Sequence, residues 1–198
     1  MNILLVFPPL TLNQRYSKNV GQVGGHMPPL GLCYMAAVLE KEGHTVKILD
    51  SPPNNCTIDG IMHEIDSFRP ELVGIACITS LVHVVGEITK LIQAKYPNIV
   101  TLIGGPHINV AAKEALKQTK ANIAIIGETE ITIVKIASNL DSYRDKHQII
   151  TGEKVKDLNP LPMPARHLLD MKKYTALPNT YKKYPNVVDT FVAKLNTN

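Results

Sequence analysis

The residues best suited to chemistry gather in three short segments: Thr79-Ser80, Gly104-Gly105-Pro106-His107 and Gly127-Glu128-Thr129-Glu130. Paired glycines let a backbone approach a large ligand closely. Thr79 and Ser80 bring short hydroxyls to the head of a helix, where anions or amides can be held. Ser80 with His83 or His107 supplies the material for a nucleophile and its base, and so for a small α/β enzyme. Serines and histidines in such loops more often touch a ligand or solvent. Glu128 and Glu130 stand at a helix start, where acids suit the dipole in any case. His107 reads equally as a ligand contact and as a helix cap or solvated residue.

Other chemistries find little support. Cys33, Cys56 and Cys77 are odd in number and widely spaced, with no C-x-x-C among them. That pattern points to free thiols in a reducing cytoplasm and away from a zinc site. No G-x-x-x-x-G-K-[ST] is present, and the first apolar run is followed by Phe7-Pro8-Pro9 where a dinucleotide fingerprint would place glycines. A phosphoacceptor receiver would carry acids after its first strand and Asp after its third, where this chain has prolines and Ile78-Thr79-Ser80.

These segments need elements to position them. The chain has 198 residues, 44% hydrophobic and 19% charged, enough for one domain with appendages. Apolar runs at Asn2–Phe7, residues 45–49, residues 72–78, residues 99–103 and Ile123–Ile126 read as strands. Helical periodicity fills the gaps from Pro29 to Gly43 and over residues 58–68, 81–96, 110–118 and 129–140. The alternation predicts an α/β fold: a doubly wound, flavodoxin-like (Rossmann-like) parallel sheet of five strands, order 2-1-3-4-5, in three αβα layers. Residues 147–151 are a candidate extra strand, residues 165–171 and 187–195 candidate short helices. Residues 1–145 are expected to form the domain. Residues 146–198 are expected to form a proline-rich connector and tail.

Open parallel sheets bind ligands outside the carboxyl ends of their strands. That rule selects residues 8–29, 50–55, 79–80, 104–107 and 127–130. The net charge of +4 comes from scattered lysines, with no Trp and three Phe. No basic, aromatic-lined face for nucleic acid is expected. No apolar run is long enough to cross a bilayer, and the first residues do not read as a signal peptide.

At the same residues the sequence resembles a known family. Met27-Pro28-Pro29-Leu30-Gly31-Leu32 with Ala36-Ala37, Leu39-Glu40 and Gly43-His44 is similar to the first helix of the cobalamin-binding domain found in many radical S-adenosylmethionine enzymes. So are Val73-Gly74-Ile75 with Thr79-Ser80, Gly104-Gly105-Pro106-His107 and Gly127-Glu128-Thr129-Glu130. Leu161-Pro162-Met163-Pro164-Ala165-Arg166, with Leu168-Leu169-Asp170-Met171 and Tyr174, resembles the connector into those enzymes' catalytic barrel. The likeness covers residues 1–178.

The resemblance implies a corrin over the carboxyl edge, with its nucleotide tail directed toward Thr79-Ser80, Gly104-Gly105 and Gly127. The implied cofactor contacts are His26, Pro28, Gly31, Thr79, Ser80, Gly104, Gly105, Pro106, His107, Gly127 and Glu128. The resemblance implies no catalytic residue and no metal ligand in this chain. Cobalamin domains of the methionine-synthase type carry D-x-H-x-x-G, whose histidine binds cobalt. Here Pro28 stands at the histidine position and His26 at the aspartate position. His26 is read as a loop histidine, solvated or hydrogen-bonded to corrin side chains, in preference to a substitute cobalt ligand.

The barrel's C-x-x-x-C-x-x-C is absent from the 198 residues. S-adenosylmethionine and a [4Fe-4S] cluster would belong to a barrel supplied in cis or in trans. A truncated chain, a shortened gene product and a stand-alone cobalamin carrier are all open. The expected function is a domain that presents cobalamin to a radical enzyme such as a methyltransferase. The alternative is a degenerate docking module of the same fold without cofactor.

Overall fold

Six parallel strands form the sheet, in the order β2-β1-β3-β4-β5-β6. The computed structural model describes residues 1–10 and 26–174. In chain order the elements are β1 (Asn2–Phe7), α1 (Leu30–Lys41), β2 (Thr45–Asp50), the single-turn α2 (Ser51–Asn54) and α3 (Ile58–Phe68). They continue with β3 (Leu72–Ala76), α4 (Val82–Lys95), β4 (Val100–Gly104), α5 (Pro106–Thr119), β5 (Ile123–Ile126), α6 (Glu130–Ser138) and β6 (Gln148–Thr151). The helix expected at residues 187–195 and most of the connection at residues 10–29 lie outside the described residues.

Each central strand alternates between two apolar layers, as the period of two requires. Ile3, Leu5, Leu72, Val100, Leu102, Ile123 and Ile125 face α1 and α6. Leu4, Val6, Val73, Ile75, Ile103 and Ala124 face α3, α4 and α5. This sandwich makes the strands read as unbroken apolar runs. The helix placed between β1 and β2 lies on one face, and the helix after β3 on the other. The order therefore reverses between β1 and β3, the position where such sheets open a crevice.

The expected five strands become six. β6 pairs with β5, Ile123 opposite Gln148 through Ile126 opposite Thr151. Its half-exposed pattern and four-residue length leave only a weak apolar signal. The sheet thus extends past residue 145. The connection through α6 has the opposite hand to those through α4 and α5, because α6 packs on the α1 face while the strand order keeps advancing. Such crossovers are rare.

A buried side chain holds this return in place. Asn122 Oδ1 accepts from the Thr101 backbone N–H at 2.9 Å and from its hydroxyl at 2.8 Å. Asn122 Nδ2 donates to the carbonyls of Tyr143 and Arg144, just before β6. One amide therefore ties β4 to the turn that delivers β6.

Helix α5 starts four residues earlier than its periodicity predicts. Ala111 breaks it with φ −140° and ψ 41°, so Pro106–Val110 forms a separate first turn. The short helix expected over residues 165–171 is two 3-10 turns, Arg166–Leu168 and Met171–Lys173. Ala165 is buried and joins the α1-side core, with Leu161, Leu168 and Leu169 packed against it. No helix among the described residues is long and apolar enough to cross a membrane.

Two outcomes follow from this packing. Asn122→Ala leaves the Thr101 N–H buried without its acceptor and frees the β6 turn. Urea denaturation should register a loss of about 2–4 kcal/mol, and an unchanged midpoint contradicts the account. Burial pushes the Cys33 and Cys77 thiols up to about 11, so both stay protonated well into alkaline solution. At about pH 8 a disulfide reagent should label the half-buried Cys56 at least about tenfold faster than either.

Candidate functional site

The carboxyl edge is built around a main-chain clasp between β3 and β4. The Cys77 N–H donates to the Gly104 carbonyl at 2.7 Å, and the His107 N–H donates to the Cys77 carbonyl at 3.2 Å. Gly105 passes between these contacts with φ +116°. A Cβ there would meet the Cys77 oxygen at 2.9 Å and its nitrogen at 3.3 Å. Only glycine suits both the angle and the gap. Directly after it, Pro106 opens α5 without needing an N–H.

A second turn lies across from it. Gly127 adopts φ +86°, and its N–H donates to Asn109 Oδ1 at 2.8 Å. Glu128 Oε2 accepts from the Val155 N–H at 2.6 Å. The β5 turn is thus fixed from α5 on one side and from the segment after β6 on the other. Asn109 has no local signature in the sequence, since its role depends on the angle of the first α5 turn.

Between these turns and the start of α1 lies a cavity of about 480 Å³. Phe7, Leu30, Met35, Ile78 and Leu102 give it apolar walls, and Gly31, Gly104, Gly105, Pro106, Gly127 and Glu128 edge it. A Cβ built on Gly31, Gly104 or Gly127 meets no atom within 4 Å. These three glycines leave open space that a side chain would occupy. The floor suits a broad, largely apolar face laid on the sheet edge. Among the described residues the lining contains no histidine and no cysteine.

Six of the eleven expected contacts therefore share one cavity. His26 and Pro28 line a smaller adjoining cleft of about 100 Å³ with Phe7, Pro29 and Asp50. Thr79 and His107 meet beside the cavity, His107 Nδ1 lying 3.2 Å from Thr79 Oγ1. Ser80 is exposed, and among the described residues no hydrogen bond joins it to His83 or His107. No group of three or more His, Cys, Asp or Glu side chains able to hold a metal ion occurs among the described residues.

A doubly wound sheet with an apolar, glycine-edged cavity at its carboxyl ends defines an α/β domain of flavodoxin-like type. Residues 16–137 match the B12 binding domain family. That match spans more than half of the chain, and the chain belongs to this family.

It is 30% identical over 191 residues to the uncharacterized methyltransferase PH0819 of Pyrococcus horikoshii, covering 89% of this chain and 40% of that protein. It is 26% identical over 146 residues to the anaerobic magnesium-protoporphyrin IX monomethyl ester cyclase of Rubrivivax gelatinosus, covering 73% and 25%. Among solved structures, the cobalamin-dependent S-adenosylmethionine radical enzyme OxsB, with aqua-cobalamin and S-adenosylmethionine bound, superposes with a TM-score of 0.64. The identity is 18%, and the match covers 83% of this chain and 24% of that one. A cobalamin-binding protein from Desulfitobacterium hafniense gives 0.51 at 16% identity, covering 70% and 58%. At such identities the likeness establishes the fold.

The two glycines of the clasp should respond differently to a methyl group. Gly105→Ala forces a residue with a side chain into φ +116° against the Cys77 backbone and should cost about 1–3 kcal/mol. Gly104→Ala points into open space and should stay within about 1 kcal/mol of the parent. Thermal or urea melts of both variants check this, and equal losses would contradict the geometry.

Proposed function

We propose that this chain is a cobalamin carrier that seats the corrin on the cavity at the carboxyl edge and offers it to a radical S-adenosylmethionine domain. The observation that carries the reading is the trio Gly31, Gly104 and Gly127. They line one cavity, and a side chain on any of them would enter open space. All three lie within the span that matches the B12 binding domain family. The fold likeness to OxsB supports the same placement.

Phe7, Leu30 and Met35 would pack beneath the macrocycle. Pro28 offers no imidazole, and the described lining residues supply none, so the lower face of the corrin would meet apolar groups. Thr79 and His107, already hydrogen-bonded to each other, would turn polar atoms toward the amide-bearing rim or the nucleotide tail. Glycine backbone at 104–105 and 127 would admit that tail close to the sheet. His26 and Pro28 would close the side nearest β2. Bound cobalamin supplies a cobalt centre that can carry a methyl group, a chemistry in keeping with the methyltransferase named for the P. horikoshii relative.

The chain spans 40% and 25% of the two curated relatives described above. The catalytic partner is accordingly proposed as a separate region or chain, with S-adenosylmethionine and a [4Fe-4S] cluster assigned to it. This chain's own part is to bind and orient the cofactor.

Equilibrium dialysis with hydroxocobalamin tests the reading. The protein should retain the corrin, with its visible spectrum, at micromolar concentration. Gly104→Trp fills the cavity from a position with free space and should weaken retention at least about tenfold while far-UV circular dichroism stays unchanged. A folded parent that retains no corrin would leave the docking-module reading in its place.

A further inference from the structure

The segment after β6 does not simply leave the domain. It runs along α1 as a strap and touches both its first and its last turns. Lys41 Nζ donates to the Pro160 carbonyl at 3.2 Å, and His167 Nε2 lies 3.1 Å from Glu40. The Ala165 N–H donates to the Cys33 carbonyl at 3.0 Å. The strap then reaches the carboxyl end of β2. There the Tyr174 hydroxyl donates to Asp50 Oδ2 at 2.9 Å, and Lys173 Nζ donates to Asn54 Oδ1 at 2.7 Å.

Asp50 is the uncommon member of this set. It is a carboxylate only 4% exposed. It closes β2 in register with Phe7 on β1. Phe7 lines the main cavity, and Asp50, Phe7, His26, Pro28 and Pro29 together line the adjoining cleft. Asp50 thus stands between the loop that edges the cavity and Tyr174 of the strap. Sequence separation of 124 residues hides this pairing from any local pattern.

We propose that Asp50 is a positioning residue that latches Tyr174 at the carboxyl edge and couples the strap to the contents of the cavity. The latch fixes where the chain passes Tyr174, beside the cofactor seat and away from the amino edge reached at Lys41. A filled cavity steadies Phe7 and the loop at residues 26–29, and through Asp50 it tightens the strap. The coupling rests on the cobalamin reading above; the latch does not. Coupling between two sites is reciprocal, so loosening the strap must weaken the cofactor by the same factor that the cofactor tightens the strap.

Hydrogen–deuterium exchange on the whole chain tests both parts. Without cofactor, Tyr174→Phe should speed exchange over residues 165–174 at least about tenfold while amides of β1 and β3 are unchanged. Asp50→Asn should do the same, and the double variant should show less than the sum of the two effects, as a direct contact requires. Unaltered strap exchange in Tyr174→Phe, or full additivity, overturns the latch. With hydroxocobalamin, the parent should exchange at least about threefold more slowly over residues 165–174, and Tyr174→Phe should lose both that protection and the same factor in affinity. Equal protection in parent and variant overturns the coupling. A parent that binds no hydroxocobalamin overturns the cobalamin reading and the coupling together, and the unliganded arm still decides the latch.

Discussion

The carboxyl edge depends on one main-chain clasp. Cys77 donates to Gly104 and accepts from His107, and Gly105 slips past with a positive φ that leaves no room for a Cβ. These contacts lock the ends of β3 and β4 together. They also set the direction of the first α5 turn. That turn places His107 against Thr79 and Asn109 against the Gly127 N–H. A fault in the clasp would spread to both lips of the cavity, since each takes its angle from it.

Around that clasp the domain divides its labour between layers. The two apolar layers of the sheet supply rigidity, with Leu, Ile and Val packed to near-zero exposure. The edge supplies shape, through glycine, proline and a few polar side chains that bond one another. Reversing the hand of the final crossover puts α6 beside α1 and frees residues 152–174 to travel along the same face. The Asn122 amide stabilises that route, and the strap follows from it.

Much of this was legible in the chain itself. The first five strands were, because burial on both faces makes runs such as Asn2–Phe7 apolar throughout. Helices α1, α3 and α4 were, because their periodicity is unbroken. The start of α5 was not: the kink at Ala111 detaches the first turn from the periodic part. β6 was only faintly legible, being a half-exposed edge strand whose order rests on Asn122, a residue with no local signature. Of the site, the glycines and the Pro106-His107 pair were readable from their position after strands. The same sequence hid Asn109, Phe7 and Met35, whose roles arise from contacts between distant elements; Asp50 lay in a segment that the carboxyl-end rule selects, without a sign of its partner. Tyr174 was visible only as part of a resemblance to a connector, with nothing to reveal its bond to Asp50.

A cavity edge set by glycine backbone has a consequence for how the domain can change over time. Carbonyls, amide N–H groups and hydrogen-only α-carbons are common to every sequence that takes the same turns. Side chains elsewhere on the surface are then free to drift, provided the few positions that need positive φ stay glycine. The cavity can persist while its surroundings adapt to different neighbours. Fitness would be most sensitive at Gly105 and least at the outward face of α1, where the strap can exchange one polar contact for another.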